Sequence, residues 1–217
     1  MITLFGNLES GNVHKVQLIL RYINEAFVRV DVSQTRGETS QPEFLKLNPI
    51  GKIPAVLLDD GDALSESNAI LFYFGSTTDL WPGNARSQAE VLRWLFFEQY
   101  SHEPTLSVIR YLKNYSEDPS QHQEQIKILE PKAKRALETL EQRLKSQSWV
   151  AAEYCTIADY ALYPYSKFSD EAGFELAKYP SIQNWLLRVE SQPGFLPVKE
   201  EGSVQTLSFS DYFNKNI

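Results

Sequence analysis

The 217-residue chain has one cysteine, Cys155, and three histidines, His14, His102 and His122. A lone cysteine cannot close an intramolecular disulfide. With no CxxC pair, the chain offers neither a thiolate metal site nor a dithiol redox centre, and Cys155 reads as a small buried filler. The histidines show no HExxH-type spacing, so no metal is expected. Positive charge is short too: 21 Lys and Arg against 28 Asp and Glu leave a net charge of −7. Such a surface repels phosphate backbones and argues against nucleic acid as a partner. No apolar run approaches the ~20 residues that span a bilayer, so no membrane partner is expected. The start, MITLFGNLESG, lacks a basic segment followed by a long apolar core and does not read as a signal peptide. A cytoplasmic protein is the expectation.

What is present is ordinary globular material, 42% hydrophobic and 23% charged, in a length that holds one large or two small domains. Ile2 to Phe5 is β-prone and a polar loop follows it. From Asn12 to about Asn24, Val13, Val16, Leu18, Ile19, Leu20 and Ile23 recur at helical spacing. Phe27 to Val32 alternates as a second strand, completing a βαβ unit with a parallel pair. A short helix is expected around Pro42 to Leu47. Thr77 to Arg86 reads as a linker, and beyond it the period is helical. The long helix expected over 121–145 carries Ile128, Ala133, Ala136, Leu137, Leu140 and Leu144 on one buried face. Thr156-Ile157-Ala158-Asp159 fits a capping box and reads as structural. Pro180 to Ser191 gives a last helix, and the tail after Gly202 looks loosely attached.

The chain is organised around Leu47 to Tyr73, LNPIGKIPAVLLDDGDALSESNAILFY. Its punctuation predicts loop, strand, hairpin, strand and helix. Ile53-Pro54 opens the first strand, where proline costs no ladder bond inside a sheet. Ser65-Glu66-Ser67 opens the helix with the composition of an N-terminus that has amide donors to spare. The segment can be a plain hairpin with a capped helix, or an anion can sit there.

The pieces SGNVHKV, LNPIGKIPAV and LSESNAI, in this order, resemble the cytosolic glutathione S-transferases, most of all their bacterial serine-type (theta/nu/beta-like) members. The likeness extends over most of the chain. It implies a thioredoxin-like α/β domain (βαβ-ββα) over residues 1–76, a linker over 77–86 and an all-helical C-terminal domain over 87–217. It also implies a transferase that holds the glutathione thiol as thiolate and conjugates it to hydrophobic electrophiles in detoxification, with glutathione as co-substrate. Glutathione-dependent peroxidase or disulfide reductase work, and a non-catalytic interaction module, are the alternatives.

Ser10 precedes the first helix and can be its N-cap. The resemblance makes its hydroxyl the catalytic donor to the glutathione sulfur, with Asn12 as the competing donor. Val13 stands where dithiol relatives carry a second cysteine. Lowering a thiol from ~8.5 to near neutrality takes about 2.7 kcal/mol. A helix N-terminus contributes about 0.3–2 kcal/mol and a charged hydrogen bond about 1.5–3 kcal/mol, so the two together suffice. The same resemblance assigns Glu66 and Ser67 to the γ-glutamyl end, and the backbone of Ile53, before a cis Pro54, to the cysteinyl unit. Lys52, otherwise a solvated turn lysine, is assigned to the glycyl carboxylate with help from Thr39 and Gln41. For the electrophile it implies a pocket drawn from Phe97, Tyr100, His102, Arg110, Tyr111, Tyr163 and Phe168, aromatic positions that helical spacing alone reads as core. A homodimer is expected.

Overall fold

The computed structural model describes Met1–Lys215, in two compact units: Met1–Thr78 together with the segment from Gln192 onward, and Asp79–Ser191. In the first unit, strand β1 (Ile2–Phe5) leads through helix α1 (Gly11–Tyr22) to β2 (Phe27–Asp31). A single helical turn at Glu38–Ser40 and helix α2 (Pro42–Leu47) follow, then the hairpin β3 (Ala55–Leu57) and β4 (Ala63–Ser65), and helix α3 (Ser67–Gly75). β1 pairs parallel with β2 and antiparallel with β3, which pairs antiparallel with β4. The alternation of Phe27 to Asp31 and the glycine turn at Gly61 therefore produce the elements they predict, and the domain is thioredoxin-like.

In the second unit, α4 (Ala85–Phe97) runs through a π-turn at Glu98–His102 into α5 (Glu103–Asn114), followed by α6 (Gln123–Ser146), α7 (Ile157–Lys167) and α8 (Pro180–Glu190). Its buried core includes Tyr160, Tyr163 and Trp185, together with Leu137 and Leu140 of α6. Asp159 completes the capping box at the start of α7, taking Thr156 N at 2.8 Å and Thr156 Oγ1 at 2.9 Å on one oxygen. Its other oxygen accepts from Val150 N and Trp185 Nε1. Burial outweighs these four bonds and raises its pKa. Ile128 is a correction: it is 55% exposed, and Ile126 is buried instead. Two residues along a helix turn about 200°, so only one of the pair can share a face with Ala133 and Leu137.

The tail is the main departure from expectation. Residues 206–208 form a fifth strand, β5 (Thr206–Ser208), which pairs parallel with β2 and completes the order β4-β3-β1-β2-β5. Helix α9 (Phe209–Lys215) then brings Tyr212 and Phe213 within 5.2 and 6.0 Å, centroid to centroid, of the buried Phe5 ring. The segment expected to hang off the helical domain belongs to the sheet domain. It is held by edge-strand hydrogen bonds and aromatic burial, signals too short to stand out at the end of a helical stretch.

Candidate functional site

The loop after β1 is built to bring Ser10 to the start of α1. Gly6 has φ +151°, and a Cβ there would stand 2.3 Å from Val13 Cγ2, so only glycine lets the loop pass this close to the helix. The loop is tied down by Arg29 Nη1 to Gly6 O at 2.8 Å and by Asn7 Nδ2 to Val32 O at 3.1 Å. Ser10 has extended backbone and is the N-cap of α1, its Oγ accepting from Val13 N at 3.3 Å. That bond uses the oxygen's acceptor side and leaves the hydroxyl hydrogen to donate elsewhere. Asn12 lies in the first turn of the same helix.

The second helix N-terminus of the site is that of α3. Glu66 opens it with φ +69° in a non-glycine residue, a strained conformation of the kind that clusters at ligand clamps. Nothing in LSESNAI announces this strain, because glycine is absent there. Ser67 is buried, and its hydroxyl donates to Asn12 Oδ1 at 3.1 Å. Two residues assigned to adjoining units of the tripeptide are thus joined directly. With its hydroxyl hydrogen committed to Asn12, Ser67 has its backbone amide, in the first turn of α3, to offer a carboxylate.

The third element precedes β3. Buried Asn48 shapes it, donating to Lys52 O at 2.7 Å and accepting from Ile50 N at 3.2 Å. Sequence reasoning gave Asn48 no part, although an Asn two residues before a turn amide is a recognisable turn builder. Lys52 is exposed, Ile53 is buried, and the Ile53–Pro54 peptide is cis. Gln41 is exposed at the N-cap of α2, whereas Thr39 is 5% exposed and faces inward. Of these two, only Gln41 offers a side chain to the surface. Lys15, which the sequence reading left without a role, is fully buried one turn into α1, with Nζ 3.4 Å from both Ser67 Oγ and Asn68 Oδ1.

The residues expected to line an electrophile pocket divide differently. His102, Tyr163 and Phe168 are buried in the helical unit. Arg110 is 5% exposed, its guanidinium 2.8 Å from both Glu171 Oε2 and Tyr115 Oη and lying 3.8 Å over the Phe168 ring. It is an internal clamp, a correction to its reading as pocket lining: a guanidinium that donates to a carboxylate and a phenol and is covered by an aromatic ring turns its charge into the helical unit. Phe97 packs edge-on to Trp94 at 5.1 Å. Tyr111 stacks on Tyr115, and Tyr100 is 88% exposed. Cys155 is buried, and desolvation pushes its thiol well above the ordinary value, so it is no nucleophile. Among the described residues no cluster of His, Cys, Asp or Glu could hold a metal ion, and no helix is long and apolar enough to cross a membrane.

With this geometry in view, the family assignment is direct. Residues 1–76 match the family model for the glutathione S-transferase N-terminal domain, and residues 96–193 match that for the C-terminal domain. The chain belongs to the cytosolic glutathione S-transferase family. Among its relatives, the disulfide-bond oxidoreductase YfcG of Escherichia coli K12 is 31% identical over 189 residues, covering 84% of this chain and 87% of that protein. A glutathione S-transferase from Pseudomonas fluorescens Pf-5 superposes with a TM-score of 0.89 at 38% identity, over 92% of this chain and 99% of that one. The glutathione transferase URE2P6 from Phanerochaete chrysosporium, solved with oxidised glutathione, shares the fold with a TM-score of 0.78 at 24% identity, over 89% and 92% of the two chains.

Proposed function

We propose that the protein binds glutathione, holds its sulfur as thiolate at the start of α1, and transfers it to an electrophilic carbon of a hydrophobic small molecule. The observation that carries this reading is the 3.1 Å hydrogen bond between Ser67 and Asn12, which unites the N-terminal ends of α3 and α1 in one polar site. Two helix N-termini suit a ligand with an anion at each position: the γ-glutamyl carboxylate at α3 and the thiolate at α1. Ser10 or Asn12 donates to the sulfur, Glu66 receives the γ-glutamyl ammonium, the Ile53 backbone pairs with the cysteinyl unit, and Lys52 with Gln41 meets the glycyl carboxylate. In the reaction the thiolate lone pair forms a carbon–sulfur bond while the leaving group departs with its electron pair. The thiol proton has already passed to solvent.

A second reading has a specific support, the 31% identity to a disulfide-bond oxidoreductase. In it the same thiolate attacks a disulfide, a mixed disulfide forms, and a second glutathione releases the reduced thiol and oxidised glutathione. Cys155 takes no part in either. Detoxification in the cytoplasm as a homodimer belongs to this proposal. A groove of about 740 Å³ lined by Leu64, Ala69, Phe72 and Tyr73, with Phe72 and Tyr73 half-exposed, supports self-association.

The test is retention on immobilised glutathione, followed by product analysis with chlorodinitrobenzene and with hydroxyethyl disulfide. A thioether from the first supports conjugation; oxidised glutathione from the second supports reduction. Folded protein that passes through the resin unretained would overturn both.

A further inference from the structure

Which way the Asn12 amide faces decides whether Asn12 helps or opposes a thiolate. An amide presents an oxygen on one arm and an NH₂ on the other, with opposite effects on a neighbouring anion. Lys15 bears on the choice. Its ammonium has three donors and no acceptor, so its 3.4 Å contacts with Ser67 Oγ and Asn68 Oδ1 can run only outward from Nζ. The Ser67 oxygen that receives one of them gives its own hydrogen to Asn12 Oδ1 at 3.1 Å. Asn68 therefore turns its oxygen end to Lys15, and Asn12 turns its oxygen end to the hydroxyl that Lys15 contacts, as the field of a buried cation favours. Lys15 is 0% exposed, and burying an ammonium is costly enough that it orients the dipoles around it.

Resting on the thiolate reading above, we propose that Lys15 is a positioning residue that polarises a one-way relay, Lys15 Nζ to Ser67 Oγ to Asn12 Oδ1, and so holds the Asn12 NH₂ outward as the donor to the glutathione sulfur. Lys15 does not touch the thiol. It acts through Ser67, and the effect passes from the γ-glutamyl unit, whose carboxylate Ser67 binds, to the adjoining cysteinyl unit. Without the cation the Asn12 amide can turn over, and its carbonyl oxygen would face the sulfur and repel the charged form. The γ-glutamyl and thiol subsites are in this way one polar unit.

The experiment is an ultraviolet titration of the thiolate of glutathione bound at saturation to wild type, Lys15→Met, Lys15→Arg and Ser67→Ala. Saturation separates thiol ionisation from affinity. Methionine fills similar space without charge, so a packing role would change stability and leave the titration alone. Lys15→Met is expected to raise the bound thiol pKa by about one unit, a tenfold loss of thiolate. Lys15→Arg is expected to restore the wild-type value. Should Lys15→Met fail to fold, Ser67→Ala carries the test, because cutting the relay at its middle raises the pKa in the same way. Wild-type titration in Ser67→Ala, or in folded Lys15→Met, overturns the relay while leaving the thiolate reading intact. A wild-type protein that binds glutathione without lowering its thiol pKa overturns both.

Discussion

Glu201 Oε1 lies 2.6 Å from Arg29 Nη2, a buried guanidinium on β2 that also holds Asp31 at 2.9 Å and the Gly6 carbonyl of the Ser10 loop. Glu201 further accepts from Thr206 on β5. One carboxylate of the returning tail thus shares an arginine with the loop that leads to the candidate active site.

Removing it has a definite consequence. Glu201→Ala leaves Arg29 with Asp31 but strips its second counter-charge, and Glu201 is itself partly open to solvent. The expected destabilisation is about 1–2 kcal/mol, between the values for exposed and buried pairs. Urea unfolding should show this as a lower midpoint, with glutathione affinity falling as the Gly6 loop loosens. Lys178→Ala, which breaks a fully exposed pair with Glu175, should move the midpoint negligibly.

His14 couples the same tail to pH. Its Nε2 donates to Leu196 O at 2.7 Å. Desolvation by burial lowers its pKa to about 4, against opposing hydrogen bonds to the Leu196 and Pro197 carbonyls. The unfolded chain takes up this proton first, near 6.5, so stability is full above that pH and falls as pH drops towards 4. The whole effect is about 3 kcal/mol. Unfolding midpoints measured between pH 7 and 4.5 should fall in wild type. His14→Gln, which keeps a donor to Leu196 but does not titrate, should lose this part of the slope.

Gly6→Ala tests the loop geometry. The added methyl meets the stiff, β-branched Val13 side chain at 2.3 Å on a backbone of φ +151°. A cost of about 1–3 kcal/mol is expected. The Ser10 loop should shift, visible as reduced retention on immobilised glutathione by a protein that still folds. Retention equal to wild type would show that the close approach does not set the site.

Arg110→Leu separates clamp from pocket. Loss of the contacts to Glu171, Tyr115 and Phe168 should destabilise the helical unit by about 2–4 kcal/mol. Glutathione affinity, and KM for an electrophile, should stay at wild-type values. A change in electrophile KM without loss of stability would return Arg110 to the pocket.

Much of this was legible in the residues. The alternation of Phe27 to Asp31, the turn at Asp59 to Asp62 and the Thr156–Asp159 box each state their structure within a few positions, because their physics is local. Ser10 and Ser67 were legible as candidates because small polar residues before an apolar helical run mark an N-terminus, and Asn12 through the family resemblance. The hydrogen bond from Ser67 to Asn12 was not, since it joins positions 55 apart. Lys15 and His14 look in sequence like the outward face of an amphipathic helix, yet α1 is buried over nearly all of its length, and periodicity cannot report a helix enclosed on several sides. Arg110 and Ile128 failed for the related reason that residue type constrains a helical face only weakly. The fifth strand is three residues long, and pairing with β2 across the length of the chain leaves no local trace.

That strand also fixes an order of events during synthesis. Strands β1 and β2 leave the ribosome before the helical unit, but the β5 edge and the rings of Tyr212 and Phe213 that close over Phe5 come after it. Until they arrive, β2 presents unpaired backbone groups and Phe5 has Phe44 but neither Tyr212 nor Phe213 against its ring, the kind of surface that invites association between nascent chains. The helical unit, continuous from Asp79 to Ser191, can complete its core earlier. Of these two units, the one begun earlier is therefore the one finished later.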